Sequence, residues 1–358
     1  MLYQANYIGE ERETVVPPKV VKKDRLTWVD HARGIAIMLV VYRHDVIGMK
    51  RSGIDVSPLM YNLQEVFYNF RMPVFFVLSG LFMTGSLQKR SRGAIVKDRA
   101  YTILYPYLLW GTIMILMQTL FSSYTNGKRN WTDLFDIIIQ PRKVDHLWYL
   151  LALFNTSVLY LGLSKVIRNP YLHGALAIAM NLVSVTSLFE GNSFVADLLY
   201  FYCYFFAGTL LSGVLLDREK RESFLRISRL FWVLPLFIAG QWFWFAIREQ
   251  EKTYTLPLLF VNLVACYFIY IISFRISNSR NSGWLAYLGK HSLYIYILHV
   301  FVMAFIRALL VHMHFHLNPW AELALCWVCG LLVPVLLFQL LKGFGFERLF
   351  SLKQKNSV

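Results

Sequence analysis

The chain has 358 residues, of which 57% are hydrophobic, 16% aromatic and only 16% charged, with a net charge of +15. A mean hydropathy of +0.46 over that length excludes an ordinary soluble globule and a disordered chain. The apolar residues come in long unbroken runs and not in alternation, which excludes a β-barrel.

Residues 1–25 carry Glu10, Glu11, Arg12, Glu13, Pro17, Pro18, Lys22 and Lys23. They contain no apolar core of a signal peptide and read as a flexible polar tail. Windows long and apolar enough to cross a bilayer follow near 28–48, 63–84, 101–121, 147–164, 172–189, 194–215, 230–247, 255–274, 284–310 and 320–341. The expectation is an all-α, polytopic transmembrane helical bundle of about ten spans. Its membrane domain runs over 26–345, and a short tail follows over 346–358. The ninth span is expected to begin as an interfacial turn around Trp284.

Loop charges set an orientation. With the amino terminus inside, the inner loops and tails hold 24 Lys and Arg and the outer loops hold 8. This asymmetry follows the positive-inside rule and places both termini in the cytoplasm. The basic charge therefore reads as a topology signal, and nucleic acid is not an expected partner.

Ionisable groups at membrane depth are costly and face a protein interior or a wet cavity. The first span holds Asp30, Arg33 and His44. At 100° per residue His44 lies 20° past three full turns from Arg33 and Asp30 about 60° from it, so all three share a face. Arg33 and His44 are then about 16 Å apart along the axis. An interfacial anchoring role for Asp30 and Arg33, with His44 a satisfied core histidine, fits the same pattern. The second span carries Arg71 in its outer half, Ser79 in its inner half and Pro73 between them, where a kink is expected. The next inner loop bears Lys89, Arg90, Arg92, Lys97 and Arg99, which suit either an anionic ligand or topology anchoring. His146 and Trp148 enter the fourth span, and Ser292 and His299 lie in the ninth.

No metal site is expected. Cys326 and Cys329 have a C-x-x-C spacing but no second ligand pair, and His312, His314 and His316 have no acidic or cysteine partner at a suitable spacing. The four cysteines read as small hydrophobes.

The ordered set of Arg33 to His44, M-P-V-F-F-V-L-S-G (72–80), Arg99 before L-Y-P-Y, H-L-W-Y-L (146–150), F-F-A-G (205–208) and S-L-Y-I-Y-I-L-H (292–299) resembles the acyltransferase-3 family of integral-membrane acyltransferases, in its fucose-4-O-acetylase-like branch. The resemblance covers residues 25–345. It implies transfer of an acyl group, acetyl by preference, from cytoplasmic acyl-CoA to a sugar hydroxyl of a lipid-linked or surface glycan at a bacterial inner membrane. By position, His44 resembles the family's essential histidine and Arg33 its partner arginine. Arg99 resembles the first arginine of an R-x-x-R whose second place is taken here by Thr102. Arg71 stands where histidine is common, and no extracytoplasmic SGNH-type domain follows the tenth span.

Acyl transfer needs a base, oxyanion donors and alignment of two substrates. The expected roles are His44 as general base, organised by Asp30 and Arg33, with Arg99, Arg92 and Lys97 holding the donor. Arg71, His146, Trp148 and His299 are expected at the acceptor or the oxyanion. Acetyl-CoA enters as co-substrate and no cofactor is permanently bound. A covalent acyl-histidine relay stays open, as do two other classes of function, a multi-span glycan or lipid exporter and a structural partner in a polysaccharide assembly complex.

Overall fold

Without water in the bilayer core every backbone N–H and C=O needs an internal partner, and a chain this apolar meets that demand with helices. The computed structural model describes residues 26–120 and 131–353. The tail over 1–25, part of the loop after the third span and residues 354–358 lie outside them. No β-strand occurs among the described residues.

The first span is one continuous helix, α1 (Thr27–Arg51). The second is assembled from α2 (Pro58–Val66), α3 (Arg71–Leu81) and α4 (Met83–Lys89). The third comprises α5 (Arg92–Arg99), a π-helical turn (Ala100–Leu104) and α6 (Tyr105–Leu120). A short α7 (Asp136–Ile139) and a 3₁₀ segment (Pro141–Leu147) lead into α8 (Trp148–Val166). There follow α9 (Pro170–Val183), α10 (Ser193–Leu215), α11 (Arg218–Phe224), α12 (Leu230–Ile247) and α13 (Thr255–Ser277). The last elements are α14 (Gly283–Lys290), α15 (Ser292–His312) and α16 (Pro319–Gly343).

Among the described residues eight helical stretches are long and apolar enough to cross a membrane. To these α1 adds 25 residues interrupted by charge, and α9 adds an apolar but shorter 14. Counted together they match the ten expected segments. Starts are set by side-chain caps: Asn169, Asn192 and Asn318 each accept from backbone N–H groups of the first turn, with proline at the first helical position after Asn169 and Asn318.

Two details differ from expectation. The second span is broken at residues 67–70, three residues before the proline, and Pro73 falls in the first turn of α3, where its missing N–H breaks no helical bond. The ninth span does not begin as a turn at Trp284. Instead α14 is a separate helix, packed on α1 and ended at His291 before α15 starts. Gly289 makes that packing close, since a Cβ there would run into the backbone of Asp30 and Gly34.

Residues 346–353 fold back onto the bundle. Phe350 is buried against Trp110, Tyr294 and Phe338, and the Trp110 indole donates to the Leu349 carbonyl at 2.9 Å. The side chain is too apolar to be left in water.

The tightest helix pair joins two of the motifs read from sequence. Gly80 of α3 lies against the Phe205 carbonyl of α10, and Gly208 of α10 lies against the Val77 carbonyl of α3, with no room at either for a Cβ. Small residues let backbones approach in this way, and dispersion contacts follow. Gly208→Val is therefore expected to destabilise the protein by about 3 kcal/mol, the upper end for overpacking. Gly85→Ala, at a position with open space around it, should change stability by less than about 1 kcal/mol. Thermal unfolding in detergent micelles measures both.

Candidate active site

The unwound turn between α2 and α3, the 3₁₀ entry to α8 and the start of α15 meet beside α1. Irregular backbone at membrane depth is tolerated where it is buried in protein or lines a cavity. Here it positions a group of histidines. The His44 ring lies 5.2 Å from that of His299 and 5.7 Å from that of His146, and His146 and His299 are 4.8 Å apart, all centroid to centroid and edge-on.

The hydrogen bonds assign roles to two of the rings. His299 donates from Nδ1 to the carbonyls of Ile295 and Tyr296, each at 2.9 Å, which leaves Nε2 unprotonated and unpaired. His146 donates from Nε2 to the Ile297 carbonyl at 3.3 Å and keeps Nδ1 unpaired. Both are essentially fully buried. His44 is only half-buried and has no hydrogen-bond partner among the described residues. It is thus the one ring of the three with access to a ligand. Its position is braced from the next residue: Asp45, fully buried, accepts from Arg307 Nη1 at 2.8 Å and ties α1 to α15. The chain beside His146 is strained, with Asp145 at φ 61°. Left-handed backbone at a non-glycine residue of this kind is concentrated at functional sites.

Two cavities lie near this cluster, one of them through Tyr296, which touches His146, and none of the three histidines lines either. One, of about 360 Å³, is lined by Arg33, Arg90, Arg99 and Lys290, with Asp98 the carboxylate among them. Arg99 is aimed by bonds from Nη1 to Ser157 Oγ at 2.7 Å and Ser79 Oγ at 3.2 Å. The π-helical turn that follows puts Thr102 and Ile103 on the same wall, a register change typical of functional positions. The other cavity, of about 310 Å³, is lined by aromatic rings (Tyr68, Trp148, Tyr200, Phe201, Trp244) and by polar groups including Arg71, Arg142, Asp197 and Asn262.

The partition between the cavities is thin. Trp148 faces one and its neighbour Tyr149 the other; Pro73 faces one and Phe75 the other. Tyr149 and Tyr296 pack at 5.3 Å across it, and Tyr296 touches His146 at 5.5 Å and donates to the His146 carbonyl. Arg71, in the aromatic cavity, is close enough for its charge to act on His44.

The expected residues distribute as follows. Arg33 and Arg99 share the cationic cavity, Arg71 and Trp148 share the aromatic one, and His44, His146 and His299 stand together but line neither. Asp30 is buried against α14 and lines neither cavity. Arg92 lines neither, because it donates to the Leu161 carbonyl and to Ser164 Oγ at 2.9 Å. Lys97 is exposed with its ammonium 5.7 Å from the Tyr101 ring. Cys203, Cys266, Cys326 and Cys329 are free thiols.

Several residues went unread. Arg142 grips the buried Asp197 through Nε at 2.9 and 3.1 Å and Nη2 at 2.6 Å. Asp45, Asp197 and Glu322 are carboxylates inside apolar spans, and that oddity was the signal that could have marked them. Tyr149 and Tyr296 gave none, being aromatic residues in aromatic-rich helices.

Multiple apolar helices with histidines and arginines directed inward define a multi-pass membrane protein with a buried polar site. An acyltransferase-domain family model matches residues 26–339, and the chain belongs to this family, acyltransferase-3. It is similar to the nodulation protein NolL of Mesorhizobium japonicum, at 28% identity over 44% of this chain and 41% of the relative. It is also similar to the NolL of Sinorhizobium fredii, at 27% identity over 55% of this chain and 51% of the relative. The chain thus spans about half the length of the curated relatives it matches. No solved structure matches it.

The Asp45–Arg307 pair yields a stability prediction. Arg307→Met leaves a carboxylate buried without its partner and should cost about 3–5 kcal/mol. Adding Asp45→Asn should return most of that loss, a coupling read from a double-mutant cycle of unfolding in detergent.

Proposed function

We propose that this membrane acyltransferase moves an acetyl or other acyl group from cytoplasmic acyl-CoA to a sugar hydroxyl of a glycan assembled at a bacterial inner membrane, with His44 as the general base. The observation that carries the reading is the half-buried His44 ring packed on His146 and His299, in a bundle where Tyr296, in contact with both of those rings, lines a four-cation cavity and Trp148, two residues after His146, lines an aromatic, polar one.

In this reading the cationic cavity faces the cytoplasm. Arg33, Arg90, Arg99 and Lys290 take the CoA phosphates through charge-assisted hydrogen bonds, in the absence of a glycine-rich phosphate loop. The flexible pantetheine arm then directs the thioester toward the partition at Tyr149 and Tyr296. The sugar enters the aromatic cavity, where rings offer apolar faces and side chains fix its hydroxyls.

His44 takes the hydroxyl proton as the oxygen attacks the thioester carbonyl. The tetrahedral intermediate collapses with loss of the CoA thiolate, which receives the proton from His44. His146 and His299 pack edge-on against the His44 ring at 5.7 and 5.2 Å and so favour a fixed orientation of it. They act as positioning residues.

His44→Ala should lower acyl transfer by 10²-fold or more in purified protein, the range of a lost general base, with near-normal thermal unfolding. Arg99→Ala should raise the KM for acyl-CoA about tenfold with a smaller change in kcat. Both are measured by release of free CoA thiol and by acceptor mass. Near-normal transfer by His44→Ala overturns the assignment. An exporter would instead leave glycan acylation intact in a deletion strain and trap glycan inside the cell.

A further inference from the structure

The charges that line the aromatic cavity sort into two levels. At its mouth the ions are matched. Arg142 is bound to Asp197, and Lys252 Nζ lies 3.1 Å from Glu190. Glu251 is exposed beside those two cations.

Arg71 is different. It is only 6% exposed, yet it has no hydrogen-bond acceptor and no carboxylate within ion-pair reach among the described residues. Its guanidinium lies over the Tyr68 ring, with the guanidinium carbon 4.7 Å from the ring centre. Arg43, which shares that ring at 4.2 Å, adds a second positive charge nearby, though it is occupied by Glu65 at 3.5 Å and by Gln64. A guanidinium carries five N–H donors, and those of Arg71 meet no protein acceptor while facing the cavity, which leaves them available to a ligand there.

Two further groups point to the same conclusion. Asn262 is 1% exposed and spends its Nδ2 on the Tyr204 hydroxyl at 2.8 Å, leaving Oδ1 unpaired. Neither amide atom of Asn69 has a partner. Both residues line the cavity. Arg71 also occupies the first position of α3, where the positive end of the helix dipole adds to its field. The site therefore combines a fixed, unneutralised cation with free amide groups and aromatic faces, which together suit a sugar bearing a negative charge.

We infer that the aromatic cavity recognises its acceptor through an anionic group, a carboxylate or a phosphate, seated on Arg71, so that the acceptor is an acidic or phosphorylated glycan and not a neutral one. This deepens the proposed function and rests on its reading of the aromatic cavity as the acceptor side. Arg71 forms the fork that takes two oxygens of the anion, and Asn69 and Asn262 pair with neighbouring hydroxyls. The two sources of the anion, a sugar acid or a phosphate linkage, share this chemistry and differ in geometry.

The test uses full-length protein in neutral detergent, with the tryptophan fluorescence of Trp148 and Trp244 as the readout. The probes are glucuronate, glucose 1-phosphate and glucose, titrated at constant ionic strength. At least one of the two anionic sugars should bind tenfold or more tighter than glucose, and the tighter of the two identifies the source. Arg71→Gln should abolish that excess, and Arg71→Lys should keep part of it. Wild-type binding of glucose as tight as both anions overturns the inference without recourse to any variant, as does a preference that survives in folded Arg71→Gln protein. The proposed reaction fails separately. Absence of acyl transfer, with glucuronate still held through Arg71, would remove the transferase mechanism and leave the anion site standing.

Discussion

A polar group carried into a bilayer must be satisfied by the protein, and this constraint organises the molecule. Three imidazoles are gathered into one cluster, two of them fixed by backbone carbonyls, and the third is only half-buried. An aspartate beside the open ring is neutralised by an arginine from another helix. The surrounding apolar helices pack closely enough, with glycine against carbonyl, to keep lipid away from this set. The histidine cluster exists because the bundle can bury it, and the bundle's irregularities occur where the cluster needs them.

The family assignment and the geometry support each other at different scales. The family model spans nearly all of the helical region and states the class of chemistry. The cavities add a spatial division, with cations gathered in one and aromatic rings in the other. That division matches a reaction whose two substrates differ sharply in character, one rich in phosphate and one in hydroxyls. The identities of the two substrates belong to the proposal.

The number of helical segments and the inward face of α1 were legible in the sequence, because long apolar runs and a 3.6-residue period leave a direct trace. Arg33 and His44 indeed lie on one unbroken helix. Partners supplied by remote segments left much weaker traces. Nothing in the local pattern around His146 or His299 announces that they meet His44, since the contact depends on how α1, α8 and α15 cross. The break before Arg71 was misplaced by a few residues for a local reason: proline at the third position of a helix costs no hydrogen bond, so the disruption falls upstream at residues 67–70. Arg92 and Arg99 look equivalent in a basic loop. They share a face of α5 and differ by about two turns along it, one reaching the end of α8 and the other Ser79 and Ser157.

The partition built from Phe75, Tyr149 and Tyr296 has a bearing on the energetics of the host membrane. A water-filled bore joining the two openings would let protons run down their electrochemical gradient, and each elementary charge crossing 100 mV dissipates about 2.3 kcal/mol. Aromatic rings in edge contact hold no continuous file of water. Such a wall keeps the two chambers insulated from one another.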